Sequence, residues 1–401
     1  MTGLAEPKPS GLRLISAANY LAFGANGLNL FLSARLLGAQ GRGAYTALGA
    51  WSLATVAVLG FSVGPTIGRA VAGGHDPAKL RRFVLIAFMV TAALSVAVFG
   101  LILMPAVPAL NLQGDVRPVM LLIPPALLLL DWATYFFQGS GRPLAYALTR
   151  SMPAVFTLVF LMWAAYRGLT LFGAIVAFGA GYWLAALIAA TTAWRSLGKQ
   201  AGAGVGIDLI RFAIRTHPGT LAAVANARLD VLFLSLFVPL AALGNYSVAV
   251  SATAPIAVVG ASVGPAYYRT VAGREGSGAV RQAWRRFLAP TALLAALAAA
   301  LAAGLPLVLG PQYTSAVEPM IILALGTGGL GAIYLGTSVL QAMANPGRSS
   351  LIFASAAVLS AVTLVVLVPP LGIVGGAVSS TITYLVVGLL AYEVSRRSSK
   401  P

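Results

Sequence analysis

Long apolar runs, broken at short intervals by glycine, proline or arginine, make up most of this 401-residue chain. Taking the polar breaks as boundaries leaves twelve runs, at 13–35, 44–67, 83–108, 118–138, 150–166, 171–194, 217–238, 245–267, 287–309, 317–342, 349–368 and 372–394. Most approach the roughly 20 residues that an α-helix needs to cross about 30 Å of hydrocarbon. The pattern predicts an all-α polytopic membrane protein with twelve transmembrane helices. Composition points the same way, with 59% hydrophobic and 9% charged residues, against roughly a quarter charged in soluble domains. The first run follows a polar start, Met1 to Leu12, and lacks a short apolar core ending in a small-residue cleavage site, so no removable signal peptide is expected.

The runs fall into two sets of six. The segments Ser62 to Gly73 and Ser262 to Gly273 lie 200 positions apart and agree at eight of twelve places. Gly43-Ala44-Tyr45 resembles Gly244-Asn245-Tyr246, Phe31-Leu32-Ser33 matches Phe233-Leu234-Ser235, Gln138 corresponds to Gln341, and Leu171-Phe172-Gly173-Ala174 is similar to Val374-Gly375-Gly376-Ala377. A repeat offset by half the chain is a duplicated unit. Six spans is an even number, so both halves keep one membrane orientation and a pseudo-twofold axis along the membrane normal should relate them, with a cleft between. We expect an N-terminal six-helix lobe at 1–194, a basic linker at 195–216 and a C-terminal six-helix lobe at 217–401. Within the linker, Ile207 to Ile214 reads as an amphipathic stretch lying on the cytoplasmic surface. Pro65 and Pro265, each after a glycine, mark either helix ends or hinges.

Charge sets the orientation. Of the 26 lysines and arginines, 21 lie at the termini or beside the loops that follow even-numbered spans; Arg35, Arg42, Arg117 and Arg167 lie on the other side, and Arg228 lies inside span seven. Basic loops stay in the cytoplasm, which places both termini there and the chain as a multi-pass protein in the cytoplasmic membrane. The net charge of +17 is spread over short juxtamembrane loops, where anionic lipid is the matching partner, so membrane lipids and not nucleic acid are expected. There is no cysteine, and of two histidines His75 is in a loop and His217 at a span edge, so neither disulfide nor metal cluster is expected. No glycine-rich loop ends in Gly-Lys-Ser/Thr, which argues against ATP use. No span carries a nucleophile, base and orienting acid at helical spacing, which argues against an enzyme.

Polar groups inside the runs are the candidate chemistry. Asn226-Ala227-Arg228-Leu229-Asp230 sits in span seven between apolar residues. An ion there is costly unless it faces protein or water. Arg228 and Asp230 are two apart and point about 200° from one another around a helix, so each has its own surroundings. Arg228 either projects into the cleft to hold an anion, for which guanidinium geometry suits phosphate, or is locked in an ion pair with Asp131 of span four. Asp131 either exchanges a proton in an ion-coupled cycle or is a static partner of an arginine. Asn19 and Asn26 share one face of span one, with Asn29 near it; their amides hydrogen-bond either sugar hydroxyls or neighbouring helices. The alignment of the halves sets Asn26 opposite Arg228. Arg13 and Arg35, at the two ends of span one, are further cations or membrane anchors.

With these residues in place, the chain resembles the polysaccharide-exporter branch of the multidrug/oligosaccharidyl-lipid/polysaccharide (MOP) exporter superfamily, which includes the Wzx-type O-antigen flippases. The resemblance covers nearly the whole chain and rests on the stretch from Ala34 to Tyr45, on Ala227-Arg228-Leu229-Asp230-Val231-Leu232, on Leu243 to Ala249, and on Leu371 to Ala377. It implies a two-lobed, MATE-like transporter that moves an undecaprenyl-pyrophosphate-linked oligosaccharide from the inner to the outer leaflet by alternating access, for surface polysaccharide biosynthesis. It implies no cofactor beyond a coupling proton or sodium ion, and polysaccharide polymerase and ligase machinery as partners. The lipid-linked oligosaccharide would be held by Arg228, Asp230, Asn226, Asn26, Asn19, Arg13 and Arg35, with Asp131 for coupling. The chain departs from lipid II flippases of the superfamily, which look like fourteen-helix proteins with several cleft arginines. An ion-coupled exporter of small drugs with the same fold is the main alternative. A major-facilitator sugar transporter would lack its signature between Arg69 and Arg82, and a non-transporting scaffold for glycan assembly is the remaining class.

Overall fold

Backbone amides and carbonyls in hydrocarbon must be satisfied within their own segment, and a chain of apolar runs can meet that demand as helices. The computed structural model describes residues 9–112, 116–197, 206–272, 276–343 and 345–398, with side chains from residue 21 onward apart from 265, 269–270, 272, 276–277 and 346. The described elements are helices. Nine of them are long and apolar enough to cross a membrane, or ten when one bent pair is counted as a span. The count is lower than twelve because neighbouring runs are fused. Helix α1 (Pro9–Leu59) carries the first run and most of the second across a break at Gly38, where φ is 69° and ψ 178°. The last two runs are likewise joined across Gly372, at φ 55° and ψ −129°. Such backbone angles are open almost only to glycine, so one residue turns the chain where a loop was expected.

The second run is interrupted in a way its pattern did not announce. Phe61 and Ser62 both adopt left-handed conformations, with φ of 46° and 53°. Helix α2 (Val63–Ala72) then leaves at 58° to α1. Pro65 falls in the first turn of α2, where its missing N–H is harmless. The equivalent Pro265 lies inside a continuous helix, so the two prolines are not paired helix ends.

The chain divides into two compact units. The first comprises Met1–Leu37 with Leu48–Leu221, the second Gly38–Ala47 with Ala222–Pro401. In the first, α3 (Pro77–Val98) begins at Asp76, whose carboxylate accepts from the amides of Ala78 and Lys79. Next come α4 (Ile123–Gly139), α5 (Pro143–Tyr166) and α6 (Leu171–Ser196), the last capped by Thr170. Helices α2, α5 and α6 all pack on α4, around Leu128, Trp132, Phe136 and Phe137.

Helix α7 (Ile207–Phe237) runs without interruption through Pro218. The stretch from Ile207 to Ile214 is therefore the start of a spanning helix and not a separate surface segment. Its first turns belong to the first unit. Leu209 is buried with Ala70 and Leu80, and the Arg69 guanidinium lies over the Phe212 ring at 4.5 Å. The Ser62 hydroxyl is hydrogen-bonded to Thr220 Oγ1 at 2.9 Å and His217 Nδ1 at 3.4 Å, and Phe61 packs against the His217 ring. These bonds hold the left-handed turn in place, offsetting a backbone cost of about 1–3 kcal/mol per residue.

In the second unit, α8 (Leu240–Ala272), α9 (Gly276–Ala302) and α11 (Pro346–Ser398) surround α10 (Val317–Ala342). Gly43 and Gly244, partners in the repeat, meet here in a reciprocal contact. A Cβ on Gly43 would collide with the carbonyl oxygen of Leu240, and one on Gly244 with that of Ala39. Lipid offers helices no hydrophobic drive to associate, so such close backbone approaches are what hold them together. Replacing Gly244 by Ala should therefore lower the thermal unfolding midpoint in detergent, by the equivalent of about 1–3 kcal/mol for an overpacked contact. Gly24→Ala, at a helical glycine with nothing within 4 Å, should instead raise it, by about 0.5–1 kcal/mol.

Candidate functional site

Helix α7 carries the charged cluster of the second unit, and its 100° step per residue sends Arg228 and Asp230 to different surroundings, as their spacing requires. Asp230 is buried. Its Oδ2 accepts a 2.6 Å hydrogen bond from the Tyr246 hydroxyl, and its Oδ1 accepts from the Val231 amide at 2.8 Å. Tyr246 is fully buried and also reaches Ser380 Oγ at 3.4 Å. Asp230 thus anchors α7 to α8 and α11 through a phenol and a hydroxyl.

Arg228 is exposed and makes no hydrogen bond or ion pair among the described residues. Its electrostatic neighbours are Asp230, Tyr334, Tyr384 and Arg42. Arg42 is the residue that the sequence reading missed. With the turn at Gly38 taking a single residue, Arg42 is carried into the second unit, where it is buried, donates from Nε to Ser247 Oγ at 3.2 Å and lies over the Tyr45 ring at 5.6 Å. Like charges repel strongly in a low dielectric, and an anion placed near both relieves that repulsion.

Asn226 donates to the carbonyl of Ala222 at 2.9 Å and to that of Phe353 at 2.8 Å, tying α7 to α11. Asn29 is used in the same manner in the first unit, donating to the Ala154 carbonyl of α5 at 3.1 Å, while its Oδ1 is buried without a partner among the described residues. Asn26, the counterpart of Arg228, is exposed, and so is Arg35 near the end of the first segment of α1. Arg13 and Asn19 lie outside the residues whose side chains are described.

Asp131 belongs to the first unit and makes no hydrogen bond or ion pair among the described residues. It is accessible to solvent yet enclosed by protein on most sides. Its Oδ2 and the Tyr135 ring both close on Gly64 of α2, in the space a Cβ would occupy. No group of three or more His, Cys, Asp or Glu residues suited to a metal occurs among the described residues.

No protein-family model and no curated protein matches the sequence. Solved structures do match in fold. The lipid II flippase MurJ in an inward closed conformation superposes with a TM-score of 0.71 at 12% identity, over 96% of this chain and 87% of that one. An inward-facing multidrug resistance MATE family transporter of the MOP superfamily gives 0.62 at 10% identity, over 96% and 94%. The Vibrio cholerae MATE transporter VcmN gives 0.59 at 18% identity, over 96% and 98%. The fold is that of MOP superfamily transporters, and these neighbours are transporters and flippases.

Tyr246→Phe removes one of the two donors to a buried carboxylate. It should lower the thermal unfolding midpoint in detergent, equivalent to about 1–3 kcal/mol. Ser380→Ala, which leaves the 2.6 Å bond to Asp230 in place, should cost less than half as much in the same measurement.

Proposed function

From that fold and that pair of arginines, we propose that the chain is a flippase for an undecaprenyl-pyrophosphate-linked oligosaccharide. It moves this lipid by alternating access from the inner to the outer leaflet of the cytoplasmic membrane, with both termini in the cytoplasm. The observation that carries the reading is Arg228, an exposed guanidinium on a spanning helix, within electrostatic reach of a second cation, Arg42. A diphosphate presents several acceptor oxygens that guanidinium groups meet in paired, charge-assisted hydrogen bonds. The fold is shared with a lipid II flippase and with multidrug exporters, and charge separates the two readings. A site with two neighbouring cations repels the cationic compounds a drug exporter would carry. Polymerase and ligase enzymes of polysaccharide assembly are the partners that would consume the delivered lipid.

The test is leaflet exchange of a fluorescent undecaprenyl-pyrophosphate-linked sugar in vesicles containing the purified protein. Arg228→Ala should slow exchange by roughly ten- to a hundredfold, the loss of one charge-assisted contact. Arg228→Lys, which keeps the charge and loses the paired geometry, should fall between. Gradient-driven efflux of small cations with no movement of the lipid would replace this reading with the exporter.

A further inference from the structure

Helix α7 is fastened to its neighbours at two places that flank Arg228 in sequence. Asn226 donates both of its amide hydrogens, one to the Ala222 carbonyl on its own helix and one to the Phe353 carbonyl of α11. Asp230 accepts at both oxygens, from the Tyr246 hydroxyl of α8 and from the Val231 amide, and Tyr246 in turn reaches Ser380 of α11. The amide has no hydrogen left to give a substrate, and Asp230 is only 7% exposed. Both residues are sequence candidates for substrate contact, and their bonds commit them instead to the helices around α7.

The two ties share one face. At 100° per residue, positions 226 and 230 are about 40° apart, and Arg228 is about 160–200° from both. A helix fastened on one face cannot turn about its axis without breaking these interhelical hydrogen bonds, so its opposite face is held in one direction. Arg228 stands on that opposite face and is exposed. A guanidinium meets a diphosphate in paired hydrogen bonds only at a defined orientation, so a turn of α7 would lose that geometry even with the charge kept.

The first half lacks the ties where it lacks the cation. With Phe31-Leu32-Ser33 set on Phe233-Leu234-Ser235, Arg228 corresponds to Asn26, Asn226 to Gly24 and Asp230 to Leu28. Gly24 has nothing within 4 Å of where a Cβ would stand, and Leu28 is exposed. The amide of that helix that bonds to a neighbour is Asn29, which donates to Ala154 of α5 and lies only about 60° from Asn26 around the axis. Fastening on the face opposite this position therefore accompanies the arginine. We propose that Asn226 and the Asp230–Tyr246 pair are positioning residues, which fix the rotation of α7 and so aim Arg228 at the phosphate groups of the carried lipid. The inference rests on the flippase reading for its ligand, whereas the aiming is a property of the second unit by itself.

The experiment uses Asn226→Leu, which keeps the branched outline and loses the amide, and Tyr246→Phe, which releases Asp230 Oδ2 without altering any charge. In vesicles with a fluorescent undecaprenyl-pyrophosphate-linked sugar, each should raise the half-saturating lipid fraction about three- to tenfold, a value read only from protein that is folded. Placed on Arg228→Ala, the same substitutions should change exchange by less than about twofold, since no guanidinium remains to be aimed. Unchanged half-saturation, or equal slowing with and without Arg228, overturns the positioning role while leaving the flippase standing. If wild type moves no lipid, the flippase reading fails and electron paramagnetic resonance decides the aiming. The chain has no cysteine, so a single spin label can be attached through Arg228→Cys or, as a control on α10 in the same unit, through Leu325→Cys at an exposed position. Adding Asn226→Leu or Tyr246→Phe should change the line shape at 228 and not at 325. No change at 228, or an equal change at both, overturns the proposal.

Discussion

The demand that every backbone amide and carbonyl in hydrocarbon find its partner within the chain governs everything else in this protein. It makes the apolar runs helical, and it limits departures from helix to residues whose polar groups are satisfied in some other way. The departures are few. Gly38 and Gly372 turn the chain in one residue each, and the Phe61–Ser62 turn is tied down by Thr220 and His217. Once the helices exist, lipid gives them little reason to associate, so contact falls to glycine carbonyl crossings and to amides such as Asn29 and Asn226 that donate to a neighbouring helix.

The same demand explains how the polar side chains divide. Those that bond to backbone or to a buried phenol, namely Asn29, Asn226 and Asp230, hold helices together. Arg228 and Asp131 make no such bond among the described residues. Spacing alone could separate Arg228 from Asp230, since two residues along a helix cannot face the same way. It could not tell which of the asparagines would be consumed by packing, because an amide is equally suited to a carbonyl on the next helix and to a sugar hydroxyl.

Much of the architecture was legible in the hydropathy of the chain, because the burial of apolar runs in lipid is a strong and local signal. The twelve runs fall on helices, and the duplicated motifs mark matching contacts, as Gly43 with Gly244 and Gly64 with Gly264 show. What escaped was decided by single backbone angles. A polar stretch around Gln40 and Arg42 reads as a loop, yet the turn at Gly38 draws it into a helix and buries Arg42. Arg150 was displaced in the same manner, since the arginine looked like the edge of its span while the helix begins at Pro143. The left-handed turn at Phe61 had no signature at all, because the Ser-Val-Gly-Pro that follows it recurs inside the unbroken α8.

That last difference gives two descendants of one ancestral helix unequal stiffness. A continuous helix resists bending through its ladder of hydrogen bonds, thinned in α8 where Pro255 and Pro265 have no N–H to give, whereas one already interrupted has no ladder to break at that point. Helix α8 runs on as one element, and the α1–α2 pair is two rods joined at 60–62. The first half therefore carries a joint that the second lacks, held by the Ser62 hydroxyl, by Thr66 bonded to the Ser62 carbonyl and by the Phe61 ring against His217.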